Sequence, residues 1–402
     1  MSKKHDYDKM GFMTRAIHLG YDAQEAHGAV NAPVYMTSTY SFDTMADAEA
    51  VFAGESDRYV YGRQHNPTQA LLEARLASLE GAEAALVTGT GMGAICSTLM
   101  TLLQCGDEII SHHTIYSTAS SYLDDGLPGL GIGVKKVDLM NPDEFSAALT
   151  DKTRIVYFES PVNPSGEVLD IRAIADRARA AGLLVVIDST FASPALQQPV
   201  SFGADLVIHS LTKYINGHGD TLGGAVIGSA EMIDRIRAKG MRYMTGSSLS
   251  PMSCFLVLRG LKTLKIRMRQ HGESALQIAK LLDQHAAVAT VCYPLLPIHP
   301  QYELARTQMS AGSGMLSFEL KSGFDGATKL IDGLTLIGKA VSLGDTESLI
   351  THPAALVEAR QRIVPSAKLA RGVSRGMIRL SVGLEDVEDI WADLEHSLDR
   401  LI

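Results

Sequence analysis

The sequence predicts an α/β fold, with a mostly parallel sheet covered by helices on both faces and a smaller α/β domain at the C-terminal end. Three observations predict it. From about residue 61 to 260, short apolar runs alternate with helical patterns, the signature of parallel strands joined by crossover helices. An acid closes one of those runs and a hydroxyl-flanked lysine follows another, at the strand ends where open α/β sheets bind ligands. Later in the chain, Met315–Leu320 and Met377–Val382 alternate in the period of strands.

Taken in order, residues 1–60 are mixed in composition and show no strong period. The apolar runs Ala84–Val87, Glu108–Ile110, Ile155–Phe158, Leu183–Ile187 and Leu206–His209 read as strands, and Gly223–Gly228 as a further strand flanked by glycines. The stretch Leu261–Gln284 is strongly helical, and its basic residues Lys262, Lys265, Arg267 and Arg269 read as a solvated or subunit-facing surface. No internal repeat or low-complexity tract is present.

Composition narrows the function. With 402 residues, 46% hydrophobic and 20% charged, the chain can bury a large core as an ordinary globular protein. A net charge of −9, with no basic stripe, argues against nucleic acid and against anionic membranes. Cys96, Cys105, Cys254 and Cys292 lack CxxC spacing and read as reduced residues. No His, Asp or Glu set has metal-ligand spacing, and His112, His113 and His209 read as structural. The first residues lack the apolar stretch of a signal peptide and no run is long enough to span a bilayer, so a cytoplasmic enzyme is expected.

Three motifs carry chemistry. In Asp205–Gly219 an apolar strand runs into Ser210 and Thr212 and then Lys213. A partly desolvated lysine there suits a covalent amine nucleophile beside an anion site. Val185–Thr190 puts Asp188 at the carboxyl end of a buried strand, where a carboxylate can pair with a protonated pyridine nitrogen. Thr88–Ala94 is a glycine-rich turn that opens a helix, and backbone N–H groups at such a start suit a phosphate. Singly each motif is weak. In this order they are specific.

Together with Thr14–His18, Pro33–Tyr35, Tyr61–Arg63, Asn66–Thr68, Glu159–Pro164, Ser342–Gly344 and Ile378–Asp386, these motifs resemble the transsulfuration (Cys/Met-metabolism) family of pyridoxal-phosphate enzymes, and within it the methionine γ-lyases. The resemblance covers nearly the whole chain. It implies a fold-type I enzyme with a seven-stranded large-domain sheet, assembled as a homotetramer of two active-site dimers. The implied domains are an arm at 1–60 that contacts the neighbouring subunit, a cofactor-binding domain at 61–260 and a small domain at 261–402.

The resemblance also assigns residues. Lys213 becomes the Schiff-base lysine and proton shuttle, and Asp188 the partner of the pyridine nitrogen. Gly91, Met92, Ser210 and Thr212 cradle the phosphate, with Tyr61 and Arg63 reaching the neighbouring subunit's phosphate. Tyr116 stacks on the cofactor ring and serves as acid for the leaving group. Arg379 grips the substrate α-carboxylate, with Ser342 and Asn163 nearby. The implied reaction is a γ-elimination on a γ-substituted homoserine-type amino acid, L-methionine first.

Three departures fall where substrate is chosen. Thr118 replaces the family's cysteine two residues after the tyrosine, Tyr243 replaces an aspartate, and Glu358 stands in a run that usually ends in histidine. Ser189 also stands where asparagine is usual, beside Asp188. Removing a cysteine and adding a carboxylate opens canavanine as an alternative substrate. Cystathionine and O-acylhomoserine chemistry use the same machinery. A β-lyase, or a cofactor-binding regulator without turnover, fits the intact motif set less well.

Overall fold

The computed structural model describes residues 6–363, 369 and 371–402. Seven strands form the larger sheet: β1 (Ala84–Thr88), β2 (Glu108–His112), β3 (Gly133–Val137), β4 (Thr153–Glu159), β5 (Leu184–Asp188), β6 (Leu206–Ser210) and β7 (Gly224–Gly228). Their order is β1-β7-β6-β5-β4-β2-β3. The pairs β2/β3, β2/β4 and β4/β5 run parallel, whereas β1/β7 is antiparallel. The expected seven-stranded, mostly parallel sheet is present. Strand β3 was not anticipated, because Lys135 and Lys136 break its apolar run. It lies at the edge of the sheet, where lysines are tolerated and discourage further pairing.

The buried strands have the composition such a sheet demands. Ile155, Val156, Tyr157 and Phe158 of β4 are fully buried, as are Val186 and Ile187 of β5, because both faces are covered. The helix Ile171–Ala180 covers part of one face by burying Ile171, Ile174, Ala175 and Ala178, a stripe at helical spacing. Its start is capped by Asp170, which accepts from the Ala173 N–H at 2.9 Å.

The second sheet holds β8 (Val288–Cys292), β9 (Met315–Leu320), β10 (Gly338–Lys339), β11 (Leu349–Thr351) and β12 (Met377–Ser381), in the order β10-β11-β12-β9-β8. Ile278, Leu282, Phe318, Leu330, Ile378, Leu380, Leu394 and Leu398 make a single core between this sheet and its helices. The expected helix is found as Leu264–Gln284, and a further helix, Pro251–Leu261, precedes it. Arg267 corrects the reading of a solvated basic surface. It is 6% exposed and donates to the carbonyls of Tyr214 and Ile215 at 2.7 and 3.3 Å. Burying the cation secures the backbone that follows Lys213.

Contacts divide the chain into two compact units. One comprises residues up to Leu102 with Ile208–Thr212 and Asp220–Lys262; the other comprises Leu103–Val207, Lys213–Gly219 and the chain from Thr263 onward. Among the described residues no helix is long and apolar enough to cross a membrane.

Candidate active site

In the unit that carries Lys213, the amine Nζ donates to Ser342 Oγ at 2.9 Å. Burial lowers the Lys213 pKa, Asp345 opposes the shift and Arg379 adds to it. The neutral amine is therefore available at lower pH than in a solvated lysine. Asp345 went unnoticed in the sequence, yet it is 7% exposed and Oδ1 is buried without a hydrogen-bond partner.

Arg379 occupies the middle of β12 and is pushed down to about 10 by burial. Its guanidinium donates to Asn163 Oδ1 at 3.0 Å and to the Ser342 carbonyl at 3.3 Å. Both partners are neutral. No carboxylate pairs with it among the described residues, so a buried cation is held open for an anion. The structure thus gathers Lys213, Ser342, Arg379 and Asn163, which lie far apart in the sequence, into one bonded chain.

Strands β4 and β5 end side by side, with Glu159 directly opposite Asp188. Asp188 Oδ1 accepts from the Thr190 N–H at 3.0 Å. Glu159 is 4% exposed. Its two oxygens accept from the Tyr116 N–H at 2.6 Å and the Asn163 N–H at 3.1 Å. Burial and then Asp188 raise the Glu159 pKa well above the usual carboxylate range. Glu159 ties the Tyr116 loop to the Asn163–Arg379 pair. Sequence reading quoted Glu159 in a motif and gave it no role; an acid closing the strand next to that of Asp188 was the available signal. Tyr116 remains 40% exposed, outside the packed core.

The other unit carries the anion cradle. Gly91 and Met92 open the helix Gly91–Leu102, whose first N–H groups lack intrahelical acceptors. A Cβ on Gly91 would lie 3.0 Å from Ser210 Cβ and 3.2 Å from its Oγ, so only glycine brings the helix start this close to that hydroxyl. Thr212 Oγ accepts from the Gly223 N–H at 3.0 Å, which fixes the turn after β6. Tyr61 and Arg63 are exposed, and the Arg63 guanidinium sits 5.5 Å from the Tyr61 ring centroid while bonding the Arg242 carbonyl.

Of the three departing residues, Thr118 is partly buried in the short helix that follows Tyr116 and Tyr243 is 67% exposed. Glu358, on the helix Pro353–Gln361, pairs with Arg375 at 2.9 Å. His209 is buried and bonds Glu80 at 2.9 Å, as a structural histidine should. The fold does bring His112, His113 and Asp138 within 4.8 Å of one another, which their spacing did not reveal. However, His112 Nδ1 accepts from the Leu139 N–H and His113 Nδ1 bonds Thr114.

A buried amine, a strand-end carboxylate, a glycine-opened helix against a serine and an unpaired guanidinium match the needs of pyridoxal phosphate and an amino acid. Residues 13–399 match the family model of Cys/Met metabolism PLP-dependent enzymes. The chain belongs to that family. It is 46% identical to an L-methionine γ-lyase of Pseudomonas putida over 98% of this chain and 99% of the other. It is 39% identical to an O-succinylhomoserine sulfhydrylase of Pseudomonas aeruginosa over 98% and 97%. The crystal structure of cystathionine γ-synthase from Xanthomonas oryzae pv. oryzae, in complex with aminoacrylate and cysteine, superposes with a TM-score of 0.89 and 40% identity over 97% and 98%. Family membership makes pyridoxal phosphate the cofactor and confirms the fold-type I expectation.

Proposed function

We propose that the protein is an L-methionine γ-lyase, releasing methanethiol, 2-oxobutanoate and ammonia from methionine and water. The observation that carries the reading is Arg379, a buried cation with neutral partners, bonded through Ser342 to the residue that holds the Lys213 amine. That arrangement suits an α-carboxylate gripped while a base works at the adjacent carbon. The 46% identity to a γ-lyase supports methionine over the other γ-substituted substrates.

Lys213, Asp188 and Tyr116 would hold the cofactor ring, and Gly91, Met92, Ser210 and Thr212 are the residues the family resemblance assigns to its phosphate. Bound there, pyridoxal phosphate supplies an electron sink for the pair left on Cα. Lys213 takes the Cα proton and carries it onward, a second proton leaves Cβ, and the Tyr116 phenol protonates the departing thiolate. Arg379 and Asn163 fix the substrate carboxylate throughout. Glu358 has its charge balanced by Arg375, so no guanidinium substrate is required to neutralise it.

The deciding assay compares 2-oxobutanoate release from methionine, cystathionine, O-acetylhomoserine and canavanine, and homoserine release from canavanine. Methionine is expected to give the highest kcat/KM, with stoichiometric methanethiol. Canavanine turned over faster than methionine, or product formed only when a thiol acceptor is added, would refute the assignment.

The reading extends to a homotetramer of active-site dimers, with residues 1–60 as the arm. Val30, Met36, Met45 and Phe52 of that segment are largely exposed, as apolar residues at a subunit contact are in a lone chain. Tyr61 and Arg63 then complete the neighbour's phosphate site. Mixing inactive Arg63→Ala and Lys213→Ala chains should restore activity, because each hybrid dimer regains one site with both native groups. Verified subunit exchange without recovery would mean that the site is not shared.

A further inference from the structure

Asp345 has no part in the reading so far, and its setting is costly. The carboxylate is 7% exposed, and Oδ1 is buried without a hydrogen-bond partner. It lies against Gly219, where a Cβ would come within 3.4–3.6 Å of its carboxyl atoms. Gly219 adopts φ +65°, a left-handed conformation that favours glycine. The Ser342 hydroxyl and the Gly219 N–H lie near enough to favour the charge of this carboxylate, and Lys213 favours it electrostatically. Ser342 Oγ in turn accepts from Lys213 Nζ at 2.9 Å. A serine hydroxyl has one proton. When that proton points to Asp345, the oxygen lone pairs face the amine.

We propose that Asp345 is a positioning residue for Lys213: it orients the Ser342 hydroxyl toward itself, aims the oxygen lone pair at Nζ, and supplies the negative charge that stabilises the ammonium formed when the amine accepts a proton. The proposal rests on the reading of Lys213 as the proton-carrying base. In the step concerned, the Cα–H bond breaks, its proton passes to Nζ, and the electron pair stays on the substrate side. Nothing is oxidised. The new N–H bond places a positive charge beside Ser342, and Asp345 is the acid whose charge favours it. Of the other charged groups acting on Lys213, Arg379 disfavours that charge, so the carboxylate offsets a neighbour that the substrate grip requires.

Two measurements test this. The first follows exchange of the Cα proton of L-norleucine with D2O by NMR on the holoenzyme; norleucine has the shape of methionine and no γ-leaving group. Asp345→Asn should slow exchange about tenfold, less than the roughly hundredfold or more contributed by a group that itself transfers the proton, with the half-saturating norleucine concentration changed by less than about twofold. Ser342→Ala should do the same, and the double variant should add little, as expected for residues acting in series. The second uses protein stripped of cofactor, with the pH dependence of Lys213 acetylation by acetic anhydride read by mass spectrometry. Removing the negative charge should move the half-maximal rate to lower pH by about one unit.

Absence of exchange in the unsubstituted holoenzyme would sink the reading of Lys213 itself. Normal exchange there, with exchange and acetylation unchanged in Asp345→Asn, would overturn the role of Asp345 alone. Should Asp345→Asn fail to fold, Ser342→Ala decides: it breaks the same connection without burying or removing a charge, and unchanged exchange in it overturns the proposal.

Discussion

Lys213→Ala protein is expected to lose turnover of methionine by at least about ten-thousand-fold, the upper range of what a positioned acid–base group contributes, while remaining folded. The substitution removes a side chain that donates to the Ser342 hydroxyl and lies outside the packed apolar core. Borohydride reduction followed by digestion should leave a pyridoxyl group on residue 213 of the native chain and on no lysine of the variant. A borohydride-stable adduct on another lysine, with activity retained, would refute the assignment. The expected pH behaviour has a definite sign. Burial, the largest influence on Lys213, disfavours the ammonium, so the neutral amine persists to lower pH than in a solvated lysine. The acid limb of kcat/KM should accordingly lie well below the ordinary lysine range. An acid limb at the value of an exposed lysine would mean that the amine is solvated in the working enzyme.

How much of this was legible in the sequence differs from residue to residue. The strands that end in Asp188 and lead to Lys213 announced themselves because buried parallel strands are apolar on both faces, so any polar residue at their ends stands out. The edge strand β3 did not, since its outer residues face solvent and read as a loop. Strands β8 and β11 were hidden for a related reason: five and three residues long, they are too short to show a period. Arg379 was readable as an anomaly, a cation inside Met377–Leu380. Its neighbours Asn163 and Ser342 were legible only through the family resemblance, because they reach it through the fold and not through any local pattern. Glu159 and Asp345 show the limit most clearly. Each is an acid in a polar-looking stretch, and its meaning comes from partners that no local pattern announces. Arg267 misled for the converse reason. On a helix a basic residue usually faces solvent, and only the carbonyls of Tyr214 and Ile215 make its burial worthwhile.

The second large effect belongs to Arg379. Its guanidinium already satisfies the Asn163 amide oxygen and the Ser342 carbonyl, and those bonds fix its orientation without neutralising it. An α-carboxylate entering the site therefore meets a cation that has been desolvated and aimed in advance, the condition under which a charge pair is strong. Truncating one partner of such a buried pair costs about 2–5 kcal/mol, so Arg379→Ala should lower kcat/KM for methionine by roughly a hundredfold or more. Most of the loss should appear in KM, because the carboxylate is gripped in the ground state as well as in the transition state. Arg379→Lys keeps the charge and loses the planar fork, so it should recover only part of the loss. The measurement that separates binding from folding is methionine amide, which has no carboxylate. Native protein and Arg379→Ala should handle the amide about equally poorly, whereas they differ widely on methionine. A variant as impaired on the amide, relative to native, as on methionine would show that Arg379 supports the fold of β12 rather than the substrate.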